Sequence, residues 1–241
     1  MNYNYNMLIF QLITLSLAIF YPIQASGNEV NFLSQWEIVA WNEDNPVAWE
    51  YPSTYFTAKI GSIINYTLSS YDSGNFTNPS SGTIEIGNLT TQTNNNKTGE
   101  VLVLSIWGWF PGLITSANDW AYQKQSAQEA AEGEWTLGTL KIQDLIYNYK
   151  GMSRQAINFT YQQDPSIGNQ NTSLIYDKNT GVLLEGHTEL MFNIPYFLNI
   201  KLIFSDLIVP SDVNLTPQTI HINLIVMVFL GLFWGLLRKI N

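Results

Sequence analysis

Leu174-Ile-Tyr-Asp-Lys-Asn-Thr-Gly-Val-Leu-Leu184 carries the sharpest local pattern in the chain. Two apolar runs flank Asp177-Lys-Asn-Thr-Gly181. A carboxylate at Asp177 can accept hydrogen bonds from turn amides, and Gly181 supplies a positive φ for a bulge after a type I turn. The stretch therefore predicts a β-hairpin. Working outward, the hydrophobic period is mostly two. Candidate strands are Trp36–Ala40, Gly61–Ser69, Gly82–Leu89, Val101–Trp107, Leu137–Ile142, Leu145–Tyr149, Ala156–Gln162, Ser173–Tyr176, Val182–His187 and Phe197–Phe204, all rich in β-branched and aromatic residues. Turn clusters such as Tyr71-Asp-Ser-Gly74, Thr93-Asn-Asn-Asn-Lys-Thr-Gly99 and Asp164-Pro-Ser-Ile-Gly168 separate them. One stretch reads as a helix: Ser116 and Asp119 cap it, Trp120 to Glu132 is Ala- and Gln-rich, and Gly133 stops it. The expected fold is mainly β, a large curved antiparallel sheet or half-barrel packed on one principal helix.

Both ends of the 241-residue chain are apolar. Met7 to Tyr21 is a hydrophobic run broken by Pro22, with small residues near Ala25-Ser-Gly27, which predicts a signal peptide over residues 1–27. The run is short for a bilayer span, so cleavage is favoured over a retained N-terminal anchor, although no Lys or Arg precedes it. Ile220 to Leu237 predicts a transmembrane helix, followed at once by Arg238-Lys239 in a cytoplasmic tail of residues 238–241. Removal of this segment in exchange for another anchor is the alternative. Between them lie an extracellular β-rich domain, residues 28–208, and a linker, 209–219. All 19 acidic residues fall between Glu29 and Asp212, against eight basic ones there. The expected partner is thus a membrane, through a single-pass C-terminal anchor with the domain outside. An acidic, Lys-poor domain does not fit nucleic acid.

The chain has no Cys, and a domain of this length builds a core without disulfides. N-x-[ST] sequons stand at Asn65, Asn75, Asn88, Asn96, Asn158, Asn171 and Asn214. Alternation turns Asn65 and Asn158 away from their apolar neighbours, and Asn75, Asn96, Asn171 and Asn214 fall in loop-like sequence, so these six are glycosylation candidates. Asn88 shares the parity of Ile84 and Ile86 and is set aside.

The hairpin Tyr176-Asp-Lys-Asn-Thr-Gly-Val-Leu183 resembles a Tyr-Asp-x-x-Thr-Gly-(apolar)-Leu hairpin of uncharacterised archaeal cell-surface proteins, including many of the Asgard group. The resemblance implies a signal peptide, a β-rich ectodomain and a C-terminal membrane helix. Related hairpins occur in the half-barrel carriers of bacterial lipoproteins, a likeness of fold that transfers no site residues.

No catalytic signature is present. The two His, His187 and His221, are far apart and there is no Cys, so no metal site and no cofactor are expected. Gly-x-Ser-x-Gly, Ser-x-x-Lys and phosphate-binding Gly loops are missing. Glu43-Asp44 and the group Glu129, Glu132, Glu134 read as solvated acids, and a hydrolase with paired carboxylates is the least favoured function. Aromatic residues are the distinguishing content. Trp107-Gly-Trp-Phe-Pro-Gly112 leads toward the helix, and Glu189-Leu-Met-Phe-Asn-Ile-Pro-Tyr-Phe197 is apolar without alternation. Such rings fill a β core or line an apolar cavity. Trp107 and Trp109 are expected on one strand face and, with Trp120, Phe192 and Phe197, are the candidate ligand-binding residues. The function expected is non-enzymatic binding of an apolar or lipidic ligand between sheet and helix. The alternative is a structural or adhesive envelope protein contacting glycans or neighbouring proteins.

Overall fold

The computed structural model describes residues 31–42, 58–191 and 195–208. The expected leader, linker, membrane helix and tail, together with Glu43-Asp44, Phe192, Asn214 and His221, lie outside the described residues. Among those described are β1 (Phe32–Trp41), β2 (Ile63–Tyr71), β3 (Ser80–Ile86), β4 (Leu89–Asn94), α1 (Asn95–Leu102), α2 (Trp120–Ala131), β5 (Gly138–Tyr149), β6 (Met152–Gln163), β7 (Asn171–Asp177), β8 (Leu183–Met191) and β9 (Pro195–Ser205). The protein is mainly β, as its period-two patterning dictates. All nine strands form one antiparallel sheet in the order β4-β3-β2-β1-β9-β8-β7-β6-β5. The chain meanders outward from β1 to β4, crosses through residues 95–137, and meanders back from β5 to β9. The last strand therefore pairs with the first, with Ser34 opposite Ser205 and their hydroxyls hydrogen-bonded at 2.8 Å. β4 and β5 do not pair, so the sheet is not closed.

One face carries the core. Trp36, Tyr66, Ile84, Leu198, Leu174, Phe159 and Tyr161 come from six different strands and are essentially solvent-free. The crossing segment covers this face, and polar tips of large side chains fix it there. Tyr176 donates its hydroxyl to the Gly112 carbonyl at 2.7 Å, Tyr196 to Leu102 at 3.1 Å, and Tyr161 to Thr136. Each buried hydroxyl thus satisfies a carbonyl of a segment that has few backbone partners of its own. Burial raises all three phenol pKa values, Tyr161 to about 12.

The hairpin stands as its sequence requires. Asp177 Oδ1 accepts from the amides of Asn179 and Thr180 and from the Thr180 hydroxyl at 2.9–3.0 Å. Gly181 adopts φ +73°. A Cβ there would collide with the Thr115 carbonyl, so the turn is also pressed against the crossing segment. Asp177 is fully buried, and its other oxygen takes Arg154 Nε at 2.7 Å. The charge left by the turn geometry is matched across β6.

Four expectations change. Val101–Trp107 is no strand: α1 ends at Leu102, and residues 101–106 are all buried. An apolar run buried on every side has no alternation to read. The Asn-rich cluster Thr93–Gly99 is not a turn but the end of β4 and the start of α1. There Asn94 caps the helix by accepting from Lys97 N, so the helices number two among the described residues. Gly82–Leu89 breaks at Gly87-Asn88, a two-residue turn with Gly87 at φ +55°, into β3 and β4. Residues 138–149 form one strand, paired without a register shift to β6, ending in a Lys150-Gly151 turn with both φ positive. Burial nevertheless changes face at Asp144: Leu140 and Ile142 lie on the covered side, Leu145, Tyr147 and Tyr149 on the other. β7 ends opposite Ala156. Beyond that point the two-stranded ribbon is free to twist more strongly than the sheet.

Candidate functional site

Gly108 divides the aromatic segment. It adopts φ +98°, and Ile106 and Trp109 pair as an isolated bridge across it, with Trp109 N donating to Ile106 O at 2.7 Å. This tight turn sends Trp107 and Trp109 to opposite sides, where a strand would have kept them on one. Trp109 goes inward. Its ring lies 4.8 Å from Phe159, and its Nε1 donates to Gln123 Oε1 at 3.1 Å. Trp120, on the first turn of α2, reaches the same Phe159 at 6.4 Å and Tyr176 at 6.4 Å, and donates its Nε1 to the Lys178 carbonyl. These rings pack against one another as core.

Trp107 goes outward and remains 69 % exposed, edge-on to Phe110 at 6.0 Å. It forms one wall of an open groove of about 870 Å³. Val103 and Phe110 from the crossing segment, Trp135 after α2, Ile167 of the β6–β7 loop, and Leu190 and Met191 at the end of β8 make up most of the apolar lining. Trp135 is 76 % exposed. Amide side chains hold the walls together. Gln163 Nε2 donates to the Trp135 carbonyl at 2.9 Å, and Gln163 Oε1 accepts from Gln170 N. Gln170 Nε2 in turn donates to Ser105 O at 2.6 Å and Thr172 Oγ1 at 2.9 Å. Val103, which caps α1 in the left-handed region at φ 54°, lines the same groove. A β-branched residue in that conformation costs about 1–3 kcal/mol, and such strain clusters at functional sites.

A second hollow of about 430 Å³ adjoins the first and shares Trp107, Trp135 and Thr136 with it. Its further lining includes Tyr122, Glu129 and Glu134.

Of the expected ligand-binding residues, Trp107 lines the groove, Trp109 lies in the core beside it, Trp120 is half-buried against that core, and Phe192 is outside the described residues. Phe197 is half-buried on the sheet's other face, 5.3 Å from the His187 ring. The sequence reading passed over Trp135, Phe110 and Ile167 as site residues. Trp135 carried a signal: a tryptophan in Glu132-Gly-Glu-Trp135, next to acids and outside any alternation, has no core to enter. Leu190 and Met191 belong to the apolar, non-alternating stretch already singled out.

The sequons fall on varied sites. Asn75 is exposed, Asn65 and Asn158 are half-buried in β2 and β6, and two expected in loops are not: Asn96 sits in α1, and Asn171, exposed, opens β7. Asn88, set aside on parity, lies exposed in the β3–β4 turn. No group of three or more acidic, His or Cys side chains suited to a metal occurs among the described residues. Comparison with known proteins finds no matching family model, no matching curated protein and no matching solved structure.

Proposed function

We propose that this chain is a membrane-anchored extracellular surface protein whose open sheet acts as a half-barrel and binds an apolar or lipidic ligand in the groove beside Trp107. One observation carries the reading. The groove is large enough for an alkyl chain, is walled mostly by apolar side chains, and leaves two tryptophans in solvent at its rim. Exposed tryptophan is costly to keep unless it meets an apolar or ring-shaped partner. The surface location rests on the leader-like N-terminus, the apolar run closed by Arg238-Lys239 and the seven sequons. It also rests on the resemblance to archaeal cell-surface proteins. A structural or adhesive role in the envelope is the second reading, favoured by the same exposed pair, which suits stacking on sugar rings.

The binding test uses the full chain in lipid nanodiscs, with empty nanodiscs as the control, titrated with a neutral fluorescent alkyl probe. Saturable binding above the control is expected, weakened at least tenfold by Trp107→Ala. No saturable excess would leave the envelope role as the better account. For location, protease shaving of intact cells is expected to digest the domain and spare a tag placed after Asn241. The reverse pattern would overturn the orientation.

A further inference from the structure

The charge around the two exposed tryptophans is one-sided. Among the described residues lining the groove and the adjoining hollow, the charged ones are Glu100, Glu129 and Glu134; none is Lys, Arg or His. Glu100, on the groove side, is paired with Lys97 at 3.6 Å. Glu129 accepts an amide hydrogen bond from Gln125 at 2.8 Å and forms no ion pair among the described residues. Glu129 and Glu134 are exposed and share their hollow with Trp107, Tyr122 and Trp135. The whole chain carries a formal net charge of −9. An anionic head group is repelled both by these near carboxylates and by the overall field. A cationic one is attracted by them and by the negative faces of the surrounding rings, an arrangement suited to quaternary ammonium.

The shape agrees with the charge. Trp107 and Trp135 belong to both spaces, so a ligand passing between them would place an apolar chain in the larger groove and its polar end in the smaller hollow. We propose that the site selects an amphiphile with a cationic ammonium head, held by Trp107, Trp135, Glu129 and Glu134, with its chain along Phe110 and Leu190. The inference rests on the ligand-binding reading above and specifies its ligand class.

The test displaces the neutral alkyl probe from the full chain in nanodiscs, using decyltrimethylammonium, decyl maltoside, decyl sulfate, tetramethylammonium and maltose. At equal chain length the ammonium amphiphile is expected to compete about three- to tenfold better than the maltoside, and the sulfate worse. Tetramethylammonium alone is expected to displace little, because the chain supplies the apolar contact. The double variant Glu129→Gln/Glu134→Gln is expected to bring competition by the ammonium amphiphile down to the level of the maltoside. Both positions are exposed, so folding is not at stake. Equal competition by sulfate and ammonium, or a full ammonium preference in the double variant, would overturn the head-group assignment and leave the groove reading standing. A probe that never binds saturably overturns both. Displacement by maltose as strong as by decyl maltoside would assign the tryptophans to a sugar and overturn both as well.

Discussion

Two tryptophans two residues apart in sequence have opposite fates. Trp109 is 5 % exposed, stacked near Phe159 and hydrogen-bonded through its ring nitrogen, while Trp107 is 69 % exposed at the rim of a groove. The same division repeats across α2: Trp120 at its start joins the Phe159 cluster, and Trp135 after its end stays in solvent. One pair holds the crossing segment onto the sheet and the other is left over from folding. Composition alone cannot make this distinction, because it depends on one glycine turn and one helix end.

The largest expected effect tests the buried half of that contrast. Trp109→Ala should cost about 3–5 kcal/mol of stability, since it empties a packed site and orphans Gln123. Trp107→Ala should stay within about 0.5 kcal/mol. Melting of the two variants side by side checks this, and similar losses for both would erase the division. Next comes Gly181→Val, which sets a β-branched residue at φ +73° and drives its Cβ into the Thr115 carbonyl. A loss of about 3 kcal/mol or more is expected, because the turn also carries the Lys178 carbonyl that receives Trp120. Lys178→Ala keeps that carbonyl and gives up one partly exposed ion pair with Asp144, so it should cost at most about 1 kcal/mol. Equal melting temperatures for the two would sink the argument that the hairpin clamps the crossing segment.

A smaller effect is expected at the exposed end, beside Trp135. Tyr161 holds Thr136, the neighbour of Trp135. Its folded pKa is raised from 10 to about 12 by burial. The unfolded chain therefore loses its phenol proton first, so this stabilisation is complete below pH 10 and disappears as pH rises through about 12. Unfolding followed by tyrosinate absorbance should show stability falling across that window. Tyr161→Phe should cost about 1 kcal/mol at neutral pH and make the alkaline fall shallower. An unchanged alkaline profile in the variant would remove Tyr161 from the account of how the Trp135 loop is held.

The contrast also marks what was legible in the sequence. The 174–184 hairpin was legible because everything that makes it is local: a carboxylate, a hydroxyl and a glycine within five residues. The helix at Trp120–Ala131 was legible from its Asp119 cap, whose side chain accepts from Tyr122 N. α1 was hidden because Asn favours turns as strongly as caps, and the apolar residues after it serve a helix end and an irregular segment at once. The site divided in the same way. Trp107 was named from local composition, whereas its partners Phe110, Trp135, Ile167, Leu190 and Met191 meet only through tertiary structure. Trp109 and Trp120 were named for the same reason as Trp107, and nothing short of the Gly108 turn separates them from it.

The pairing of first strand with last has a consequence for how the groove meets its surroundings. β1 enters and β9 leaves the sheet side by side at one end, where Ser34 faces Ser205. Leu190, Met191, Gln163 and Trp135 gather at the opposite end, near the start of β9. Ten residue steps along β9 separate the two, roughly 33 Å at the usual rise of a strand. On the anchoring proposed above, the chain leaves toward its own bilayer from the end remote from the groove. If both proposals hold, the groove is expected to take its ligand from the medium and not from the lipids next to the anchor.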